Sequence, residues 1–128
     1  MRVSLASVAI VLLLAAGAQA DKPTCTGGAE YLRYCSACHG ERADGNGPVA
    51  SALDPRPPPL TSLHKKFGTP LSTHLVVFLN GGSMPRAHGT SEMPVWGKVL
   101  RKETDDEGTA IDLLWQIVHY LDCIQTEN

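Results

Sequence analysis

The sequence predicts an all-α fold. Two segments, residues 71–79 and 107–124, carry apolar residues at the spacing of an amphipathic helix. No segment shows the alternation of apolar and polar residues that is typical of a half-buried strand. Clusters of glycine and proline interrupt the rest of the chain, so each helix is limited to a few turns. These observations indicate one small domain of short helices.

The N-terminal residues 1–20 are predicted to be a cleaved secretory signal peptide. Arg2 gives a positive start, residues 8–14 an apolar core, and residues 18–20 an A-x-A cleavage site. The apolar run is too short for a comfortable membrane span, although an uncleaved anchor remains the alternative. The folded domain is then residues 21–128. It would mature in an oxidising compartment, which in a bacterium is the periplasm.

The charge and the aromatic content of the chain indicate which kinds of partner and cofactor to expect. The formal net charge is −2, so nothing indicates binding to nucleic acid or to an anionic membrane surface. We therefore expect no stable membrane insertion once the signal peptide is removed. Only 5% of the residues are aromatic, which gives a thin hydrophobic core. A buried cofactor would add apolar bulk and stabilise the folded form.

The first helix is predicted from about residue 27 to residue 38, with Thr26 as its N-cap. Gly27 costs helix propensity. It marks either a close approach to another helix or a frayed helix start.

The loops come next in the chain. Residues 40–48 form a glycine-rich loop, and residues 49–53 are predicted to form one helical turn. Residues 54–60 contain four prolines and are predicted to be an extended, rigid wall beside a cofactor. Residues 83–97 show no periodicity and are predicted to be a loop.

Two further helices follow. Thr69-Pro70 opens the next helix, with proline at its first position, and Asn80-Gly81-Gly82 ends it. The last helix covers residues 107–124, with Thr104 or Asp105 as its N-cap. Its broad apolar face comprises Leu113, Leu114, Ile117, Val118, Tyr120 and Leu121.

The motif Cys35-Ser36-Ala37-Cys38-His39 carries the chemistry. Two cysteines three positions apart lie on one helix face, where both can form thioether bonds to one edge of a porphyrin. The histidine that follows can then reach the iron. The C-x-x-C-H spacing therefore predicts one covalently attached haem c.

The motif has three other interpretations: a zinc site, a redox pair and a structural disulfide. A zinc site needs four ligands, usually with a second cysteine pair, and the chain has no second C-x-x-C. A thioredoxin-like redox pair would be expected in a βαβ setting. The third alternative is a structural disulfide.

Two residues are predicted to support the haem. A haem-ligating histidine usually donates its second ring N–H to an acceptor, and we predict the Pro48 carbonyl for His39. The alternative is that Gly47-Pro48 is only a turn. Arg56 can pair with a haem propionate, or it is a solvated surface side chain.

The sixth iron ligand is predicted to be Met93, since a thioether opposite a histidine suits electron transfer and Pro94 fixes the backbone after it. The alternative is that Met93 only fills a gap in the core. Met84 is the second choice, and His88 would give bis-histidine ligation. The remaining candidates are His64, His74 and His119.

The chain resembles a class I cytochrome c of the bacterial, single-haem kind. The resemblance covers nearly all of residues 21–128. It rests on the first helix and haem motif, the loop after it, the methionine loop and the last helix: Gly27, Tyr31, Cys35, Cys38, His39, Gly40; Gly47-Pro48; Met93-Pro94 with Trp96-Gly97; Ile117, Tyr120, Leu121.

This resemblance implies a cytochrome c fold, with three to five short helices wrapped around one haem c. It implies that the first and last helices cross closely, which would explain Gly27. It also implies ligation by His39 and Met93, with Trp96 in the cofactor-binding loop. The departures are Met84, the proline run and two extra cysteines, Cys25 and Cys123.

Those two cysteines flank the helices that should cross. In an oxidising compartment we predict a disulfide between Cys25 and Cys123. Two free thiols or an intermolecular bond are the alternatives.

The resemblance implies a one-electron carrier that acts with redox partner proteins and has no catalytic acid or base. One alternative is a haem c subunit of a larger oxidoreductase. Another is a small peroxidase or gas sensor with an open distal site, where His88 or His64 would be the polar group. The third is a zinc- or disulfide-stapled binding module without haem.

Overall fold

The computed structural model describes residues 25–82 and 93–126, and these residues contain helices and no β-strand. The predicted all-α fold is confirmed for this part of the chain. The predicted signal peptide, Met84 and His88 lie outside the described residues. The helices are α1 (Gly28–Tyr34), α2 (Ser36–His39), α3 (Leu63–Phe67), α4 (Ser72–Leu79), α5 (Trp96–Thr104) and α6 (Glu107–Cys123), with a 3₁₀ turn at Ala50–Ala52.

The described residues thus form six α-helices, more than the predicted three to five. One reason is that the predicted first helix is divided at Cys35, whose φ of −117° departs from helical geometry. The others are α3 and α5, which were not predicted. None of the described helices is both long and apolar enough to cross a membrane.

The start of α1 differs from the prediction. Gly27, not Thr26, occupies the N-cap position, and no side chain caps the helix. Gly27 has a φ of +89°, a conformation that glycine adopts without a steric penalty. A Cβ at Gly27 would overlap the carbonyl of Gln116 in α6 and lie 3.2 Å from its Cα. The close-approach interpretation of Gly27 is therefore confirmed.

The crossing of α1 and α6 continues one turn further along both helices. The rings of Tyr31 and Tyr120 have centroids 5.0 Å apart. Tyr31 is fully buried, and its hydroxyl donates a 2.7 Å hydrogen bond to the Gly40 carbonyl. Burial, with smaller contributions from nearby Cys35 and Tyr120, raises the pKa of Tyr31. The phenol therefore stays protonated and ties α1 to Gly40, the residue after the Cys35–His39 motif.

Cys25 and Cys123 form a disulfide next to this crossing, with Cα atoms 5.8 Å apart. The pairing is the one predicted, and the two residues are separated by 98 positions.

Several predicted helix boundaries are wrong. Helix α4 begins at Ser72 rather than at Pro70, although it ends before Asn80 as expected. The N-cap of α6 is Asp106, whose carboxylate accepts a 2.6 Å hydrogen bond from the Thr109 amide. Neither Thr104 nor Asp105 is available for capping.

Each of those two residues already has another role. Thr104 ends α5, and its hydroxyl donates to the Leu100 carbonyl at 2.9 Å. Asp105 has a φ of +54° in the turn between α5 and α6. Helix α5 itself replaces the end of the loop predicted over residues 83–97.

The hydrophobic core lies between α6 and the other helices. The apolar face predicted for α6 is largely confirmed, because Leu114, Ile117, Val118 and Leu121 are buried. Leu113 and Tyr120 are only partly buried. The other large side chains that are fully buried are Tyr31 of α1, Leu71 at the N-cap of α4 and Leu100 of α5.

A polar clasp, formed by Asp122 and Gln125, holds α3 against the end of α6. The Gln125 side-chain oxygen accepts from the amides of Leu63 and His64, at 2.6 and 3.2 Å, and so caps α3. Its amide nitrogen donates to the Leu60 carbonyl at 2.7 Å. Asp122 accepts from the His64 ring at 2.7 Å and from the Leu71 amide at 2.9 Å.

Replacing both disulfide cysteines, as Cys25→Ser with Cys123→Ser, should lower the free energy of unfolding by about 4 kcal/mol. The reason is that a bond across 98 residues restricts the unfolded chain strongly. Urea unfolding of the two proteins at matched haem content measures the difference. Equal unfolding free energies would contradict the stabilising role of the disulfide.

Acid should remove the contribution of Asp122 to stability. Partial burial raises the pKa of Asp122, but hydrogen bonds from His64 and the Leu71 amide outweigh it and hold the pKa below 3.8. The contribution is therefore present above that pH and is lost as the pH falls through the folded-state pKa.

We expect Asp122→Asn to destabilise the protein near neutral pH, with a gap from wild type that narrows below about pH 4. Urea unfolding along a pH series measures the gap. His119 also lies near Asp122, so a His119→Gln background serves as the control. A gap that stays constant down to about pH 2 would refute the assignment.

Candidate functional site

The helices enclose a cavity of about 430 Å³, within the size range of cofactor and ligand sites. Three segments carry the predicted site residues to it: the α1–α2 junction, the proline-rich segment and the chain just before α5. Helices α3, α4 and α6 complete the lining with apolar side chains: Leu63, Phe67, Leu75, Phe78, Leu79, Ile117 and Leu121.

Cys35, Cys38 and His39 all line this cavity. The break between α1 and α2 at Cys35 is closed by backbone hydrogen bonds, since the amides of Cys38 and His39 both donate to the Cys35 carbonyl, at 3.2 and 2.9 Å. Neither Cys35 nor Cys38 is in a disulfide. The structure therefore does not contain the alternative in which these two cysteines are bonded to each other.

Cys35 is buried, and burial together with the neighbouring Cys38 raises the pKa of its thiol to about 12. Its side chain is thus a neutral thiol in the folded chain at physiological pH. An apolar wall around a neutral thiol gives no sign of the electropositive setting that activates a catalytic cysteine.

His39 is 92% shielded from solvent, and its Nδ1 lies 3.1 Å from the carbonyl oxygen of Pro58. The prediction that the Pro48 carbonyl is the acceptor is wrong. The loop before Pro48 folds back onto α2, with the Gly47 amide on the Cys38 carbonyl at 3.2 Å. This leaves Pro48 exposed on the surface.

The tautomer of His39 follows from that contact. With Nδ1–H donating to Pro58, Nε2 is unprotonated and carries the lone pair that a metal requires. Burial lowers the pKa of His39 below its usual 6.5, while the Pro58 hydrogen bond opposes the change. The imidazole is therefore held neutral and oriented, as an iron ligand must be.

The proline-rich segment lines the cavity as predicted, through Pro55, Arg56, Pro57 and Pro58. Its position is set by the preceding loop, because the Leu60 amide donates to the Ala43 carbonyl at 2.7 Å. Arg56 is exposed and donates a 3.4 Å hydrogen bond to the Asn46 side chain. It stands at the edge of the cavity, with its charge not neutralised by Asn46.

Met93, Pro94 and Trp96 also line the cavity. Met93 is half-buried, and Trp96 begins α5. The Trp96 ring meets the ring of Tyr34 edge-on, with centroids 5.6 Å apart. The structure thus brings the predicted thioether into the same cavity as the two thiols and the imidazole.

The other described ligand candidates lie elsewhere. His64 is held by Asp122 and does not line the cavity. His74 and His119 are exposed.

Among the residues of this site that sequence reasoning missed are Pro58, Tyr34 and Phe67. A signal existed for Pro58, because an extended proline run has backbone carbonyls without internal hydrogen bonds. Tyr34 and Phe67 were not identifiable, since only the tertiary fold turns them toward the cavity.

The residues present fit one covalently attached haem. They provide two unpaired thiols, one oriented neutral imidazole and one thioether around a mostly apolar space. Among residues 25–82 and 93–126, no three His, Cys, Asp or Glu side chains are grouped so that they could hold a metal ion. No family model, curated protein or solved structure matches the chain.

The loop that positions the Pro58 acceptor can be tested with Gly45→Ala. Gly45 has a φ of +80°, and a Cβ there would lie 2.6 Å from the Pro57 carbonyl oxygen and 3.2 Å from the Pro59 nitrogen. The substitution should cost about 1–3 kcal/mol of backbone strain and should also push the proline segment away from His39.

Gly68→Ala is the matched control, because Gly68 has a φ of +76° and nothing within 4 Å of the added atom. Both variants should lose stability. Only Gly45→Ala should change the NMR signal of the His39 Nδ1 proton. The same signal in both variants would show that the loop does not position the acceptor.

Proposed function

We propose that this protein is a periplasmic electron-transfer protein of the class I cytochrome c type, carrying one covalently attached haem c. The observation that supports the proposal is that Cys35, Cys38, His39 and Met93 line one apolar cavity. The bound haem would supply one-electron transfer.

The chain's own residues would hold the haem from several sides. Cys35 and Cys38 would bind it through thioether bonds. His39 and Met93 would be the iron ligands, with the Pro58 carbonyl fixing the orientation of the imidazole. With His39 and Met93 both bound to it, the iron would be suited to electron transfer and would have no open position for a small ligand.

Two further residues would shape the site. Arg56 would pair with a propionate, because its guanidinium stands at the cavity edge and its hydrogen-bond partner there, Asn46, is neutral. Trp96 would close the cavity next to Met93 and keep water from the sulfur. The apolar lining would stabilise the less charged oxidation state of the iron.

The alternative of a small haem enzyme or sensor finds less support. It requires a polar side chain beside an open iron position. Among the described residues the candidate is His64, which points its ring at Asp122 instead of lining the cavity; His88 lies outside the described residues. A role as the haem c subunit of a larger oxidoreductase uses the same site in the same way.

Periplasmic location is proposed from the signal peptide that the N-terminal sequence predicts. The disulfide between Cys25 and Cys123 is consistent with an oxidising compartment. Redox proteins are the proposed partners.

The experiment is a visible spectrum of the protein produced together with haem-maturation machinery. We expect a haem that acid and organic solvent do not extract, and the weak red band of a ferric-iron–thioether bond. That band should disappear in Met93→Ala and persist in Met84→Ala.

Two outcomes would contradict the proposal. Haem that is missing, or that acid and organic solvent extract, would contradict covalent attachment at Cys35 and Cys38. Retention of the red band in Met93→Ala would contradict the assignment of Met93 as the iron ligand.

A further inference from the structure

The end of α4 and the start of α5 approach closely where Asn80 lies against Gly97. A Cβ at Gly97 would overlap the Asn80 side-chain oxygen and lie 2.7 Å from its Cα and 2.9 Å from its carbonyl oxygen. Gly97 is buried. Only a residue without a side chain fits between the two helices at this position.

Arg101, one turn further along α5, also contacts Asn80. Its guanidinium donates a 2.7 Å hydrogen bond to the Asn80 side-chain oxygen in a partly buried setting. Asn80 itself is fixed, because its amide donates to the Val76 carbonyl at 2.9 Å as the C-cap of α4. One amide oxygen therefore sets both the spacing of the two helices and their relative position along their axes.

The contact lies close to the proposed methionine ligand. Met93 is two residues before Val95, the N-cap of α5, and Trp96 at the start of α5 lines the cavity with it. On the α4 side, Phe78 and Leu79 also line the cavity and directly precede Asn80. A shift of α5 away from α4 would therefore displace Met93 relative to the cavity.

We propose that Asn80 is a positioning residue for Met93. Through Gly97 and Arg101 it fixes α5 against α4 and so sets how far the Met93 sulfur reaches into the cavity. This inference rests on the proposed function, in which that sulfur binds the haem iron.

The first test compares Gly97→Ala with Gly108→Ala. Both glycines are the second residue of their helix, and alanine raises helix propensity at each. A Cβ at Gly108 has only the Asp106 side chain near it, at 3.3 Å. The two variants therefore differ in the contact with Asn80.

The readout is the affinity of the haem-loaded ferric protein for added imidazole, which competes with Met93 for the iron. In Gly97→Ala the apparent Kd for imidazole should fall about tenfold or more, the change that 1.4 kcal/mol produces. The red thioether band should weaken in the same variant. Gly108→Ala should match wild type in both measurements.

The second test uses substitutions of Asn80 itself. Asn80→Leu removes the acceptor for Arg101 and should lower the imidazole Kd as Gly97→Ala does. Asn80→Asp keeps an oxygen at this position for Arg101 and should restore the wild-type value. A role limited to general stability would not give this rescue.

The Cys25→Ser, Cys123→Ser protein controls for loss of stability, because neither cysteine lines the cavity. It should unfold more easily and keep the wild-type imidazole affinity. The positioning role of Asn80 is refuted if Gly97→Ala and Asn80→Leu keep the wild-type Kd for imidazole. It is also refuted if the Kd falls equally in the cysteine variant.

A measurement that does not need the iron–sulfur bond separates the two proposals. The full chain, labelled with carbon-13 in its methionine methyl groups, gives a Met93 signal that Met93→Leu identifies. A shift of this signal in Gly97→Ala but not in Gly108→Ala supports the role of Asn80, even if wild type lacks the red band and the ligand assignment fails. No shift in either variant overturns it.

Discussion

The architecture depends on the close crossing of α1 and α6. Gly27 allows the two backbones to touch at Gln116, and Tyr31 packs against Tyr120 one turn later. Helix α1 leads directly into the cysteine motif, while α6 supplies part of the apolar lining. Added bulk at Gly27 would therefore do more than loosen a helix pair, because it would separate Cys35 and Cys38 from the side of the cavity that α6 lines.

The two ends of the cavity are built in different ways. Around His39 the chain organises itself locally, since the amides of Gly45 and Gly47 donate to the carbonyls of His39 and Cys38 at 2.8 and 3.2 Å. After Met93 the contacts are long-range, since Trp96 packs against Tyr34 and Gly97 lies against Asn80. The histidine end is thus fixed by short-range structure, and the methionine end depends on the complete tertiary fold.

The range of each contact along the chain explains how much could be predicted from the sequence. The helical class, the cysteine motif, Met93 as a cavity residue and the disulfide all followed from local patterns or from the resemblance. The acceptor for His39 did not, because Pro58 reaches it only after the proline segment folds across the loop. Helix α3 was missed because its cap comes from Gln125, 62 positions away. Helix α5 was missed because a glycine at position 97 suggests a turn. In the structure Gly97 lies inside α5, where the close contact with Asn80 leaves no room for a side chain.

The cap that Gln125 places on α3 has a consequence for the order of folding. A chain that folds from its N-terminus onward can form the cysteine motif early. The first amides of α3, however, have no acceptor until Gln125, which follows the last helix, is in place. A contact that spans 62 positions raises the contact order of the chain and slows its folding to the final topology. The side of the cavity that α6 supplies, through Ile117 and Leu121, is therefore completed after the segment that contains Cys35, Cys38 and His39 has formed.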